Sequence, residues 1–217
     1  REELFVTSKV LAEIKDYDEA KKSIDRSLRL SGLDYFDLML IHCPQPWEEY
    51  GENEYRYFEE NLEVWRAMTE AYRAGKLRAI GVSNFSREDL DNIRNGSDVQ
   101  PMVNQIHCHI ASTPLDLIEY CQSAGIVVEA YCPIAHGEAL RVPAIAKMAE
   151  KYSVTVAQLC VRYCIQLGTV ALPKTENPDH MRNNADLGFE ISDGDMEILK
   201  HAETVGTYRG ESFFSPQ

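Results

Sequence analysis

The stretch Gly75-Lys76-Leu77-Arg78-Ala79-Ile80-Gly81-Val82-Ser83-Asn84-Phe85-Ser86 holds the junction on which the reading of the fold turns. Upstream of it, Phe58, Leu62, Trp65, Met68 and Tyr72 recur at spacings of three and four, which lays a single apolar face along a helix. Gly75 follows that face. A glycine just past a helix takes the left-handed conformation that satisfies the last carbonyls and releases the chain into an extended segment. Ala79–Val82 is then continuously apolar rather than alternating, the pattern of a strand covered on both faces as in a parallel sheet. Ser83-Asn84 ends the run in polar groups, and Ser86 with Asp89 is a helix-opening capping pair.

The same junction repeats in both directions. Gly32 precedes the run around Tyr35–His42, Gly125 precedes Ile126–Tyr131, and Gly168 precedes Thr169–Pro173. A second helical face is formed by Val156, Leu159, Cys160, Tyr163, Cys164 and Leu167, and further helix starts are marked by Thr113 before Pro114, Thr155 with Gln158, and Asn177 before Pro178. Strands are expected at Leu4–Lys9, Asp37–His42, Ala79–Ser83, Met102–His107, Ile126–Tyr131 and Val170–Lys174. Strands alternating with helices leave two architectures, a doubly wound open sheet or a barrel. No G-x-G-x-x-G follows any strand, which disfavours a Rossmann dinucleotide fold. With no low-complexity linker, residues 1–217 read as one domain.

Composition narrows the function classes. With 44% hydrophobic and 26% charged residues the chain has the composition of an ordinary soluble globular protein. A net charge of −13 argues against nucleic acid as a partner, although a local basic pocket can still hold a small anion. No apolar run is long enough to span a bilayer and no signal peptide is visible. Cys43, Cys108, Cys121, Cys132, Cys160 and Cys164 lie mostly in apolar runs, as buried free thiols of a reducing compartment do, so a cytoplasmic location is expected.

In a barrel, active-site groups gather at the carboxyl ends of strands. Here those ends carry Lys9, His42, Ser83 with Asn84, Gln105, Tyr131 and Lys174. Each alone has a plain structural reading: a solvated lysine, a core histidine, a turn, a packed tyrosine. The ordered set Phe5-Val6-Thr7-Ser8-Lys9, Leu40-Ile41-His42-Cys43-Pro44, Gly81-Val82-Ser83-Asn84-Phe85, Asn104-Gln105, Ala130-Tyr131-Cys132-Pro133 and Leu172-Pro173-Lys174-Thr175 resembles the aldo-keto reductases, most closely bacterial members similar to 2,5-diketogluconate reductases.

That resemblance implies a (β/α)₈ TIM barrel, represented here from its third strand and lacking about the first two β/α units. It implies NADPH-dependent reduction of small aldehydes or ketones, with NAD(H) as the other nicotinamide open to it. In the family a tyrosine donates a proton to the carbonyl oxygen. An unperturbed tyrosine has a pKa of about 10, and a neighbouring ammonium lowers it. Lys9 matches the tuning lysine and His42 the histidine that orients the carbonyl. The acid tyrosine and an aspartate belong upstream of this chain on that reading. Tyr50, Tyr55 and Tyr57 follow His42 and are not assigned, so the chain by itself is expected to be weak or inactive.

Ser83, Asn84 and Gln105 match the partners of the nicotinamide carboxamide, and Tyr131 the aromatic that stacks on the ring. Lys174 and Thr175 match residues that hold the adenosine 2′-phosphate, and Asn184 one that contacts adenine. The chain departs from the pattern at His180, where many members carry arginine, at Asn183, where many carry glutamate, and at Cys132, where serine is common. Two other classes stay open: a non-catalytic nicotinamide- or partner-binding protein on the same barrel, and a metal hydrolase built on His107-Cys108-His109. The later strand ends, Tyr131 and Lys174, are not metal ligands, so no metal is expected. The acidic stretch Glu48–Glu60 reads as a solvated loop over the site, and Trp47 as a wall for substrate.

Overall fold

Ser86 opens its helix as the sequence pattern requires. Its hydroxyl accepts from the Asp89 backbone, and the Asp89 carboxylate accepts in return from the Ser86 backbone. The Thr155–Gln158 pair forms the same reciprocal box, and Asn177 caps a helix with Pro178 at its first position. At the other helix ends, Gly32 sits at φ +67 with nothing within 4 Å of a Cβ built there, so conformation rather than space selects glycine. Gly81 is the opposite case: a Cβ would stand 2.5 Å from the Val103 carbonyl oxygen, so neighbouring strands close on it.

The computed structural model describes residues 1–202; the remainder of the expected 1–217 domain lies outside the described residues. In chain order the strands are β1 (Thr7–Val10), β2 (Leu38–Ile41), β3 (Ile80–Ser83), β4 (Val103–His107), β5 (Val127–Tyr131) and β6 (Val170–Leu172). Between and after them run α1 (Tyr17–Ser31), α2 (Phe58–Arg73), α3 (Arg87–Gly96), α4 (Leu115–Ser123), α5 (Pro143–Lys151), α6 (Val156–Gln166), α7 (Pro178–Ala185) and α8 (Asp193–Lys200), with a 3₁₀ segment at Ala135–Arg141. The sheet follows chain order, β1-β2-β3-β4-β5-β6. The registers are parallel: Lys9 lies opposite Leu40, Ile41 opposite Val82, Ser83 opposite Gln105, and Tyr131 opposite Leu172. This is an α/β fold with a six-stranded parallel sheet, consistent with the (β/α)₈ class.

Contacts gather into two compact units. One is Arg1–Gln105 with Glu119–Val127, and the other is Ile106–Ile118 with the described residues from Val128 onward. In the first, all four residues of β2 and all four of β3 are buried, and Leu38, Leu40 and Val103 form a core cluster with Ala79 and Met102 against it. In the second, α6 buries Leu159, Cys160, Val161, Tyr163 and Cys164.

Two expectations are corrected. The first strand runs over Thr7–Val10, not Leu4–Lys9. The Val6 carbonyl takes the Asp37 and Leu38 amides where the pairing begins, while the Leu4 amide turns back to Arg1, leaving Leu4 63% and Phe5 70% exposed. The last strand stops at Leu172, which puts Lys174 in the following loop, and Val170 is 48% exposed rather than covered on both faces.

Candidate active site

In the first unit the sheet delivers four of the expected residues into one hydrogen-bonded network. Ser83 closes β3 and is buried; its hydroxyl donates to the Gln105 carbonyl at 2.9 Å. The Asn84 amide donates to that same carbonyl at 2.9 Å. Asn84 then turns into the left-handed region at φ 62, which asparagine tolerates better than most side chains. This turn brings its Nδ2 to the His42 carbonyl and to Ser83 Oγ, each at 3.1 Å. His42 follows β2 directly, and its backbone amide is held by the Val10 carbonyl at 3.0 Å. Ser83 and Gln105 are buried, whereas Asn84 and His42 are partly exposed, so the network runs from the interior toward solvent.

The His42 ring meets Trp47 edge-on, with centroids 5.0 Å apart, and Trp47 meets Tyr50 edge-on at 5.8 Å. Burial lowers the His42 pKa below the usual imidazole value, and the Lys9 ammonium lowers it further. His42 is therefore neutral near pH 7, with a ring N–H to donate, and Lys9 lies close enough to act on it electrostatically. Beneath this level Lys15 donates to the Cys43 carbonyl and to Asn61 Oδ1, both at 2.9 Å, and Asn61 Nδ2 donates to the Pro44 carbonyl at 2.9 Å. The two side chains thus grip the backbone directly after His42. Sequence reading missed them, because a loop lysine that folds inward has no periodicity to betray it.

Of the tyrosines after His42, Tyr50 packs at the site and its hydroxyl donates to the Asn84 carbonyl at 3.5 Å, while Tyr55 and Tyr57 are engaged elsewhere. Tyr55 donates to Glu60 at 2.7 Å and Tyr57 to Glu49 at 2.7 Å, and bonding to a carboxylate raises both pKa values. Burial pushes Tyr50 up to about 12. These shifts run against service as a proton donor near neutrality.

In the second unit, Tyr131 ends β5 half-buried, with its ring tilted over His107 at 5.4 Å between centroids. His107 and His109 pack edge to face at 4.7 Å, and His109 Nδ1 bonds the Ile110 carbonyl. Burial, with His109 and His136 nearby, takes the His107 pKa down to about 4. Among the described residues, no group of three or more His, Cys, Asp or Glu side chains is arranged to hold a metal ion. After β6, Lys174 Nζ pairs with Glu176 at 2.7 Å, both exposed, and Thr175 Oγ1 accepts from the Asn177 amide at 3.1 Å. On α7 Asn184 is half-buried, while His180 and Asn183 are exposed. Sequence reading also missed the contact of Cys132 Sγ with His136 Nε2 at 3.2 Å.

Residues 1–204 match the aldo/keto reductase family. A glyoxal reductase of Bacillus subtilis is 38% identical over 218 residues, covering 99% of this chain and 75% of that protein. Among solved structures, an aldo-keto reductase from a Medee basin deep-sea metagenome library superposes with a TM-score of 0.84 at 32% identity, covering 94% of this chain and 73% of that one. The Bombyx mori aldo-keto reductase in complex with NADP superposes at 0.79 and 32% identity, covering 92% of this chain and 68% of that one. The chain belongs to the aldo/keto reductase family and is an oxidoreductase of that family.

Proposed function

We propose that this chain reduces small aldehydes or ketones with NADP(H), using Lys9 and His42 at the carbonyl and Ser83, Asn84 and Gln105 at the nicotinamide carboxamide. The observation that carries this reading is the Ser83–Gln105–Asn84–His42 network, which ties an amide-reading set to the histidine through 2.9–3.1 Å bonds. The donor set suits the cofactor. Asn84, whose two Nδ2 hydrogens go to the His42 carbonyl and Ser83 Oγ, carries Oδ1 as an acceptor, and Gln105 carries an amide with donor and acceptor, groups of the kind that pair with a carboxamide. Lys174 and Thr175 offer a cation and a hydroxyl for a phosphate dianion, and Asn184 an amide for adenine. When bound, the cofactor supplies the hydride. A neutral His42 donates its N–H to the carbonyl oxygen and fixes its orientation, and Lys9 supplies positive charge beside it. The proton donor on this reading is none of Tyr50, Tyr55 and Tyr57.

Titrating NADPH against intrinsic fluorescence tests the assignment. Saturable quenching is expected, with affinity weakened roughly tenfold by Lys174→Ala, the scale of one charge-assisted contact. No saturable binding, or equal affinity in the two proteins, would reject it.

A further inference from the structure

We infer that Cys132 and His136 form a thiol–imidazole pair that captures soft carbon electrophiles, with α,β-unsaturated aldehydes as the chemical class. The inference concerns chemistry outside the reductase reading and does not depend on it.

Three observations converge on the pair. Cys132 Sγ lies 3.2 Å from His136 Nε2, within reach for a thiol proton to pass to the ring. Cys43, Cys108, Cys121, Cys160 and Cys164 are buried, whereas Cys132 is only partly so and His136 is exposed. The intervening backbone is built to hold the two together. Cys132, Ala135, His136 and Gly137 all have positive φ, and the amides of Ala135 and Gly137 bond the carbonyls of Cys132 at 2.8 Å and Ile134 at 2.9 Å.

Partial burial raises the thiol pKa, so free ionisation supplies little thiolate near neutrality. The imidazole removes that obstacle. The Sγ–H proton moves to His136 Nε2 as the sulfur bonds the β-carbon of the enal, and the C=C π pair shifts onto the carbonyl oxygen as an enolate. The imidazolium then returns the proton to the α-carbon, leaving a saturated aldehyde thioether. Atoms and electrons balance with no oxidant or cofactor. A small neutral acceptor also suits a protein of net charge −13, which repels anionic reagents such as charged disulfides.

The test is to treat the native protein with limiting acrolein at neutral pH and map adducts by peptide mass spectrometry, with propanal as the saturated control. The expected result is a single thioether on Cys132, none with propanal on any cysteine, and loss of the fast adduct in Cys132→Ser. His136→Asn keeps a residue that tolerates positive φ and should slow the reaction at least about 100-fold, the low end of what a positioned base contributes. Simple exposure of the thiol would leave that rate unmoved. Should the asparagine variant also expose the buried cysteines, His136→Gln carries the same comparison. Equal rates with and without the imidazole, or a first adduct on any of the other five cysteines, overturns the inference.

Discussion

Lys15 carries its amine into the protein to reach the Cys43 carbonyl and Asn61, and burial lowers its pKa to about 8. A neutral amine still has two N–H donors, so both bonds survive deprotonation. The unfolded lysine titrates near 10.5, and between about 8 and 10.5 the unfolded chain binds the extra proton, so the contribution of Lys15 to stability rises with pH across that window. Lys15→Met removes both donors and leaves two acceptors unanswered, at a cost of about 1–3 kcal/mol, partly offset because a buried charge also disappears. Urea denaturation should therefore show a modest loss near pH 7 that grows by up to about 3 kcal/mol near pH 10. A difference that is flat with pH would refute this account. The residues of the candidate site divide by the same logic. The positions of Ser83, Asn84 and His42 were legible because each stands where an apolar run stops, whereas Gln105 lies inside β4 between Asn104 and Ile106. Lys15, Asn61 and the Cys132–His136 contact were not, because loops and left-handed turns bring them to their partners, and sequence spacing does not encode those paths.

Helix ends were the most legible elements, since a cap is a local contract between residues three apart. The α6 box shows it: Gln158 N donates to Thr155 Oγ1 at 3.2 Å and Thr155 N to Gln158 Oε1 at 3.0 Å. This box starts the helix that buries Leu159, Cys160, Val161, Tyr163 and Cys164. Thr155→Ala is expected to cost about 1 kcal/mol, read as a lower urea midpoint at unchanged m-value. An unchanged midpoint would mean that packing of α6, not its cap, sets its stability. Strands were less even. β2 and β3 could be read from continuous apolarity because every residue in them is buried. β1 could not be bounded that way: Leu4 and Phe5 are apolar yet exposed, and the start at Thr7 is set by register against Leu38, a partner 31 positions away. The 3₁₀ segment Ala135–Arg141 escaped altogether, because non-helical angles at His136 and Gly137 break any period.

At the scale of the molecule, a net charge of −13 and a pI of 4.9 mean that acidification removes self-repulsion, yet stability should fall on that path. The reason is three imidazoles, His109 buried and His42 and His107 partly so. His42, His107 and His109 all have pKa values lowered chiefly by burial, with His107 shifted from 6.5 to about 4. Between those two values the unfolded chain binds a proton that the folded chain refuses, so stability rises with pH there and is lost as pH drops from 6.5 toward 4. Because His107 is partly solvated, its share between pH 7 and pH 5.5 is about 1 kcal/mol after allowance for screening. His107→Gln keeps a polar side chain of similar reach and cannot titrate. Urea midpoints at pH 7 and 5.5, both above the pI of 4.9, should therefore fall less in the variant than in the parent. Parallel profiles for the two proteins would show that His107 titrates alike folded and unfolded, and that acid lability resides in carboxylates such as Asp195, whose lowered pKa comes chiefly from its bond to Lys151.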